Sequence, residues 1–255
     1  EIVGETLGID DAEKIVESIW DESTRSWGAP RVLGEFGCSP SLTEDGRHLY
    51  YGGRFEGGQG GLAVWTEKIG DAEKEPRESR PSEGPPSDSR WCSLGRLAGA
   101  TSVGALGVTA SGKIFAATSN GSIHRFDGID RFTEVYVLGT ACVPFFNEDS
   151  PMVDIVTLSD GTAIAASLSE IAFSRDDGAT WSTARLPASV LGARALAVSG
   201  LDIYAATADG HVLYSSDRGA SFTLRGDVGH FVIALGVDSR GRLLAASGFI
   251  AGHRD

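Results

Sequence analysis

Long apolar runs are missing from this chain. None of its 255 residues belongs to a stretch of ~18 consecutive apolar ones, the length a helix needs to cross a bilayer. No basic segment followed by an apolar one opens it, so a secretory signal is not expected within these residues. Cysteine is scarce. Cys38, Cys92 and Cys142 are odd in number, and their spacings of 54 and 50 match no metal knuckle. They read as small buried side chains, with one disulfide plus a free thiol as the alternative. Cations are also few: 22 Lys and Arg stand against 35 Asp and Glu, a formal charge of -13, with no basic stripe. Such a chain repels phosphate backbones, so nucleic acid is not expected as a partner, and the acidity serves solubility.

Catalytic signatures are missing as well. No Gly-x-Ser-x-Gly nucleophile turn occurs. His48, His124, His211, His230 and His253 stand at no ligand spacing and are expected on strand surfaces or turns. Gly57-Gly-Gln-Gly-Gly61 lacks the Lys-Ser/Thr of a phosphate loop, and Ser174-Arg-Asp-Asp-Gly178 lacks the distal Glu of a calcium loop. No metal and no cofactor are expected.

What is present is a repeat. Ser111-Gly-Lys-Ile-Phe-Ala-Ala-Thr118, Asp160-Gly-Thr-Ala-Ile-Ala-Ala-Ser167, Gly200-Leu-Asp-Ile-Tyr-Ala-Ala-Thr207 and Gly241-Arg-Leu-Leu-Ala-Ala-Ser247 align on a turn followed by an apolar strand. Their centres, Phe115, Ile164, Tyr204 and Leu244, are spaced by 49, 40 and 40 residues. Asp45-Gly-Arg-His-Leu-Tyr-Tyr-Gly-Gly53 is a fifth, weaker copy. Another apolar strand precedes each turn, as in Val153–Leu158, Ala195–Val198 and Phe231–Val237, and Gly in the turns suits tight hairpins. A third strand follows in Ser122–Phe126, Glu170–Phe173 and His211–Tyr214. Near-continuous apolar strands with small residues suit burial on both faces. Units of ~40–45 residues with four strands each have the period of a propeller blade.

After the third strand come Ser174-Arg-Asp-Asp-Gly-Ala-Thr-Trp181 and Ser215-Ser-Asp-Arg-Gly-Ala-Ser-Phe222, in phase with the repeat. Asp176 and Asp217 can accept backbone N–H groups within such a turn, and Gly178 and Gly219 supply a left-handed residue. Ser174 and Ser215 open the turns, and Trp181 and Phe222 lead into a fourth strand and can pack between sheets. Both octapeptides resemble the Asp-boxes, or bacterial neuraminidase repeats, of sialidase-type propellers. Residues 26–66 resemble the repeats of TolB-like periplasmic propellers, carried by Ser26-Trp-Gly-Ala-Pro30, Ser39–Tyr51 and Gly57–Trp65, with Ala63 where that family has Asp. These resemblances imply an all-β propeller and a periplasmic or secreted setting.

The expected architecture is a single domain, 1–255, of five blades of four antiparallel strands, with an N-terminal strand within Trp27–Phe36 closing the last blade so that no edge stays unpaired. Residues 10–20 carry Ala12, Ile15, Val16, Ile19 and Trp20 at helical spacing, which predicts a short helix; an outer strand over Lys14–Trp20 is the alternative. Residues 70–90 are almost devoid of apolar side chains and read as a polar insertion.

Function is expected on the face opposite the octapeptides. Candidate ligand or partner residues are Arg54, Phe55 and Glu56, then Phe145, Phe146, Asn147, Glu148 and Asp149, and His230. Aromatic rings beside polar groups suit a sugar or a protein hot spot; the plainer reading of Phe145 and Phe146 is packing between blades. The sialidase resemblance implies an Arg-Ile/Leu-Pro element ahead of the first Asp-box, but Arg185-Leu-Pro187 follows one. The leading expectation is a non-enzymatic module that recognises a protein or carbohydrate partner, with a larger bacterial assembly as one setting for it. The alternative is a carbohydrate-active enzyme with funnel carboxylates.

Overall fold

The computed structural model describes residues 13–17, 20–21, 26–27, 31–36, 41–44, 49–55, 59–65, 91–97, 99, 102–129, 131–139, 153–230, 232–238 and 240–247. Turn chemistry sets the strand boundaries. Gly161, for example, takes φ +88 and lets Leu158 N–H bond Thr162 O across a tight reversal, which places Val153–Thr157 beside Ala163–Ser167. The same device recurs along the chain and gives an all-β structure, with no helix among the described residues.

Four antiparallel sheets have four strands each, in sequence order. The first contains β5 (Ser41–Glu44), β6 (Leu49–Phe55), β7 (Gln59–Trp65) and β8 (Trp91–Arg96); here β1 to β4 denote Glu13–Glu17, Trp20–Asp21, Ser26–Trp27 and Arg31–Phe36. The second contains β9 (Val103–Val108), β10 (Ile114–Thr118), β11 (Ser122–Gly128) and β12 (Arg131–Val137). The third contains β13 (Val153–Thr157), β14 (Ala163–Ser167), β15 (Glu170–Ser174) and β16 (Ser182–Thr183). The fourth contains β17 (Ala195–Ser199), β18 (Asp202–Ala206), β19 (His211–Ser215) and β20 (Thr223–Asp227). A fifth sheet has two described strands, β21 (Val232–Val237) and β22 (Leu243–Ser247).

Sheets pack on their neighbours in chain order. First strands lie side by side, β5 with β9, β9 with β13, β13 with β17 and β17 with β21. Apolar clusters fill each junction: Tyr50, Leu62 and Leu97 with Val103 and Ile114; Phe115 and Leu138 with Val153 and Ile155; Ile164 and Ile171 with Leu213 and Phe222; Ala195 and Ala206 with Val232. Every residue of β10 and β14 is buried. Their Ala-Ala pairs fit this crowding, because a strand covered on both faces and paired on both edges leaves little room for side chains.

The fifth sheet departs from this pattern. Leu244 holds the register position of Phe115 and Ile164, yet it is 55% exposed where they are 0% exposed. Ala245 and Ala246 are exposed, whereas Ala116, Ala117, Ala165 and Ala166 are buried. On the neighbouring sheet, Leu224 and Val228 are also exposed.

One expectation needs correction. Residues 13–17 and 20–21 are strands, not a helix: β1 pairs with β4 and β2 with β3. The register shifts between Ile15 and Val16, where β4 carries the extra residue, Leu33. β-branched Ile15 and Val16 also favour the extended backbone. Among the described residues Arg31–Phe36 pairs with Glu13–Glu17, and β21 and β22 pair only with each other. The insertion at 70–90 lies outside the described residues, between β7 and β8.

Candidate functional site

Each four-stranded sheet has two ends. One carries the turns between first and second strands and between third and fourth, where the octapeptides lie. The other carries the turns between second and third strands and the connections to the next sheet.

At the octapeptide end, local hydrogen bonds define the turn. Ser174 Oγ donates to Asp176 Oδ1 (2.9 Å) and accepts Gly178 N–H (2.9 Å), while Asp176 accepts Thr180 N–H (2.8 Å) and Thr180 Oγ–H (2.6 Å). Ser215, Asp217, Gly219 and Ser221 repeat the pattern at 2.9, 3.0, 2.9 and 2.6 Å. Hydrogen bonds from the Thr180 side chain and backbone hold the Asp176 carboxyl below its ordinary range. The sequence reading assigned the left-handed backbone to glycine alone; Asp177 (φ 52) and Arg218 (φ 59) adopt it too.

These turns also grip the preceding sheet. A Cβ on Gly178 would lie 2.4 Å from Phe115 Cε1, and one on Gly219 would lie 3.1 Å from Ile164 Cγ1. Ser111 Oγ donates to Asp177 (2.9 Å), and Arg218 pairs with Asp160 (2.9 Å) at the matching place one sheet on. Arg175 donates to Asp217 O (2.7 Å). Trp181 stacks on Tyr136 (5.6 Å) and meets Phe115 edge-on (6.1 Å), and Phe222 is buried among the third and fourth sheets. All eight octapeptide residues singled out from the sequence therefore serve packing and turn geometry. Asp217→Ala should cost ~1–2 kcal/mol, because Ser221 N–H and two hydroxyls lose their acceptor; a lower urea midpoint with unchanged slope would register it.

The loop end is less committed. Leu191 is 73% exposed and Val228 37% exposed, on the connections after the third and fourth sheets. His211 Nδ1 lies 2.9 Å from Asp209 Oδ2, and Thr207 Oγ donates to the same carboxylate. Gly210 sits against the backbone of His230, and Asp227 accepts Gly229 N–H (2.6 Å). His230, Asp209, His211 and Val228 thus gather where the β18–β19 turn meets the connection to β21. The sequence reading named His230 as a candidate at this place and named neither Asp209 nor His211 as one. A signal was present: Thr207-x-Asp-Gly210 repeats Thr118-x-Asn-Gly121. Arg54 and Phe55 end β6, paired with Gly60 and Gln59; Glu56 and Phe145–Asp149 lie outside the described residues. No group of three or more His, Cys, Asp or Glu among the described residues could hold a metal ion.

No protein-family model matches this chain, and no curated protein matches it. Solved structures do match. The computationally designed Ika8 protein aligns over 95% of this chain and 67% of its own, at TM-score 0.52 and 13% identity. U3-55K aligns over 94% and 85%, at TM-score 0.51 and 11% identity. The likeness is one of fold. A fold shared with a designed chain assigns no activity. No helix among the described residues is long and apolar enough to cross a membrane.

Proposed function

We propose that the chain is a five-bladed β-propeller of Asp-box type that recognises a protein or carbohydrate partner without catalysing a reaction. The single observation behind this reading is the contrast between the two ends. Octapeptide carboxylates are saturated by turn hydrogen bonds, whereas the loop end offers the exposed Leu191 on one connection and, at the next, the Asp209–His211 pair with His230. An exposed apolar side chain and solvent-facing hydrogen-bonding groups at the same end of the sheets suit recognition. The test is a glycan array and a glycoside-hydrolysis panel run on the intact protein, with mapping of what co-purifies. Leu191→Asp should weaken the interaction found by roughly tenfold or more while leaving the urea midpoint in place. Turnover of a glycoside, abolished by a carboxylate substitution, would overturn the reading.

The ring is completed, in this reading, by the N-terminal hairpin as the outer half of the fifth blade. Every fourth strand is followed along the chain by the first strand of the next sheet, and β4 holds that place before β5. The bare positions Leu224, Val228, Leu244, Ala245 and Ala246 are those that a third and a fourth strand would cover. In hydrogen exchange, the β22 amides should then be as protected as those of β18, and deletion of residues 1–36 should expose them. An intact chain whose β22 exchanges as an open edge would refute this closure.

A further inference from the structure

One register position recurs on the first strand of every sheet. Ser41, Ala105, Asp154, Ala195 and Ala234 stand there, opposite Gly52, Ala117, Ala166, Ala206 and Ala246. Four are small and uncharged, and the fifth is a carboxylate. Asp154 reaches across to the next sheet. Its Oδ2 accepts the N–H of Leu196 on β17 (2.7 Å), and its Oδ1 accepts the N–H of Ile155 (2.8 Å). β17 is the edge of its sheet, so half its amides face away from β18 and need another acceptor.

No strand packed against β13 brings a charge. β9, β10, β14 and β17 carry no ionisable residue, and Arg194, one residue before β17, is itself desolvated. The Asp154 side chain keeps some exposure, but it lies among apolar strands on each packed side, and that depth governs its titration. Burial pushes its carboxyl up to about 6, offset in part by the two N–H groups and by no cation.

We propose that Asp154 makes the junction between the third and fourth sheets a proton-sensitive joint, tight when the carboxyl is neutral and loosened when it is charged. The folded-state value lies above the ordinary 3.8, so the stabilisation is complete below that pH and is lost as pH rises through about 6. This device is separate from partner recognition: it concerns two sheets in direct contact and needs no ligand for its test.

Asp154→Ala installs the residue that three other sheets carry at this position, and Asp154→Asn keeps an acceptor without charge. Urea unfolding of the full chain is compared at about pH 5 and about pH 7.5. The folding constant of wild type, relative to either variant, should rise roughly tenfold toward the lower pH. The Leu196 amide resonance should titrate in wild type and stay fixed in Asp154→Ala. Parallel pH profiles, or a Leu196 amide that does not titrate in wild type, would overturn the proposal.

Discussion

Gly192→Ala should destabilise the protein by about 3 kcal/mol or more, a large effect for one added methyl group. Gly192 lies on the connection from the third sheet to the fourth. A Cβ there would stand 2.2 Å from Ser167 O, 2.4 Å from Glu170 N and 2.6 Å from the Leu168 carbonyl carbon. All three are backbone atoms of the β14–β15 turn, so no side-chain rotation can make room. The adjacent Ala193 N–H bonds Ser167 O at 2.8 Å and holds the two segments together. Gly226→Ala is the matched control. Nothing lies within 4 Å of its Cβ, and the change should stay within about 0.5 kcal/mol. Equal urea midpoints for the two variants would show that the connection yields, and that its backbone is not fixed by this contact.

Phe115→Ala should cost about 3–5 kcal/mol, because a fully buried ring leaves a cavity between the second and third sheets. The more discriminating result concerns its pairing with Gly178→Ala. Alone, the alanine at 178 meets the ring at 2.4 and 2.8 Å and must adopt φ +78. With Phe115 truncated, the collision disappears and only the backbone strain, about 1 kcal/mol, remains. The double variant should therefore be more stable than the two single losses predict, by about 1–3 kcal/mol. Additive losses in a complete double-mutant cycle would mean that the octapeptide turn is not seated on the preceding sheet.

Strand content was largely readable from the sequence, and the reasons are local. Ile114–Thr118, Ala163–Ser167 and Leu243–Ser247 coincide with the repeated motif, since glycine turns fix where each strand starts, and in the first two burial on both faces favours the Ala-Ala pair. The N-terminal strands were misread because the adjacent apolar residues Ile15 and Val16 interrupt the two-residue alternation that marks a strand, and because two short strands, β1 and β2, were joined into one helical pattern. The octapeptide carboxylates were anticipated because their partners lie within four residues. Asp154 passed unnoticed for the opposite reason: its acceptor role depends on Leu196, which is distant along the chain and becomes a neighbour only when two sheets meet. Asp209 and His211 were not singled out at the loop end, where a turn motif masks a pair that also faces solvent.

The grip of the octapeptides is directional. Gly178 rests on Phe115 and Gly219 on Ile164, and Ser111 with Asp177 and Asp160 with Arg218 obey the same sense. In each case the later segment seats itself on the earlier one. A chain leaving the ribosome thus finds every berth already built when the matching turn emerges, and assembly can keep pace with synthesis. A permutant that starts translation at the fourth sheet would make the guest before its host, and should populate unfinished, self-associating species for longer.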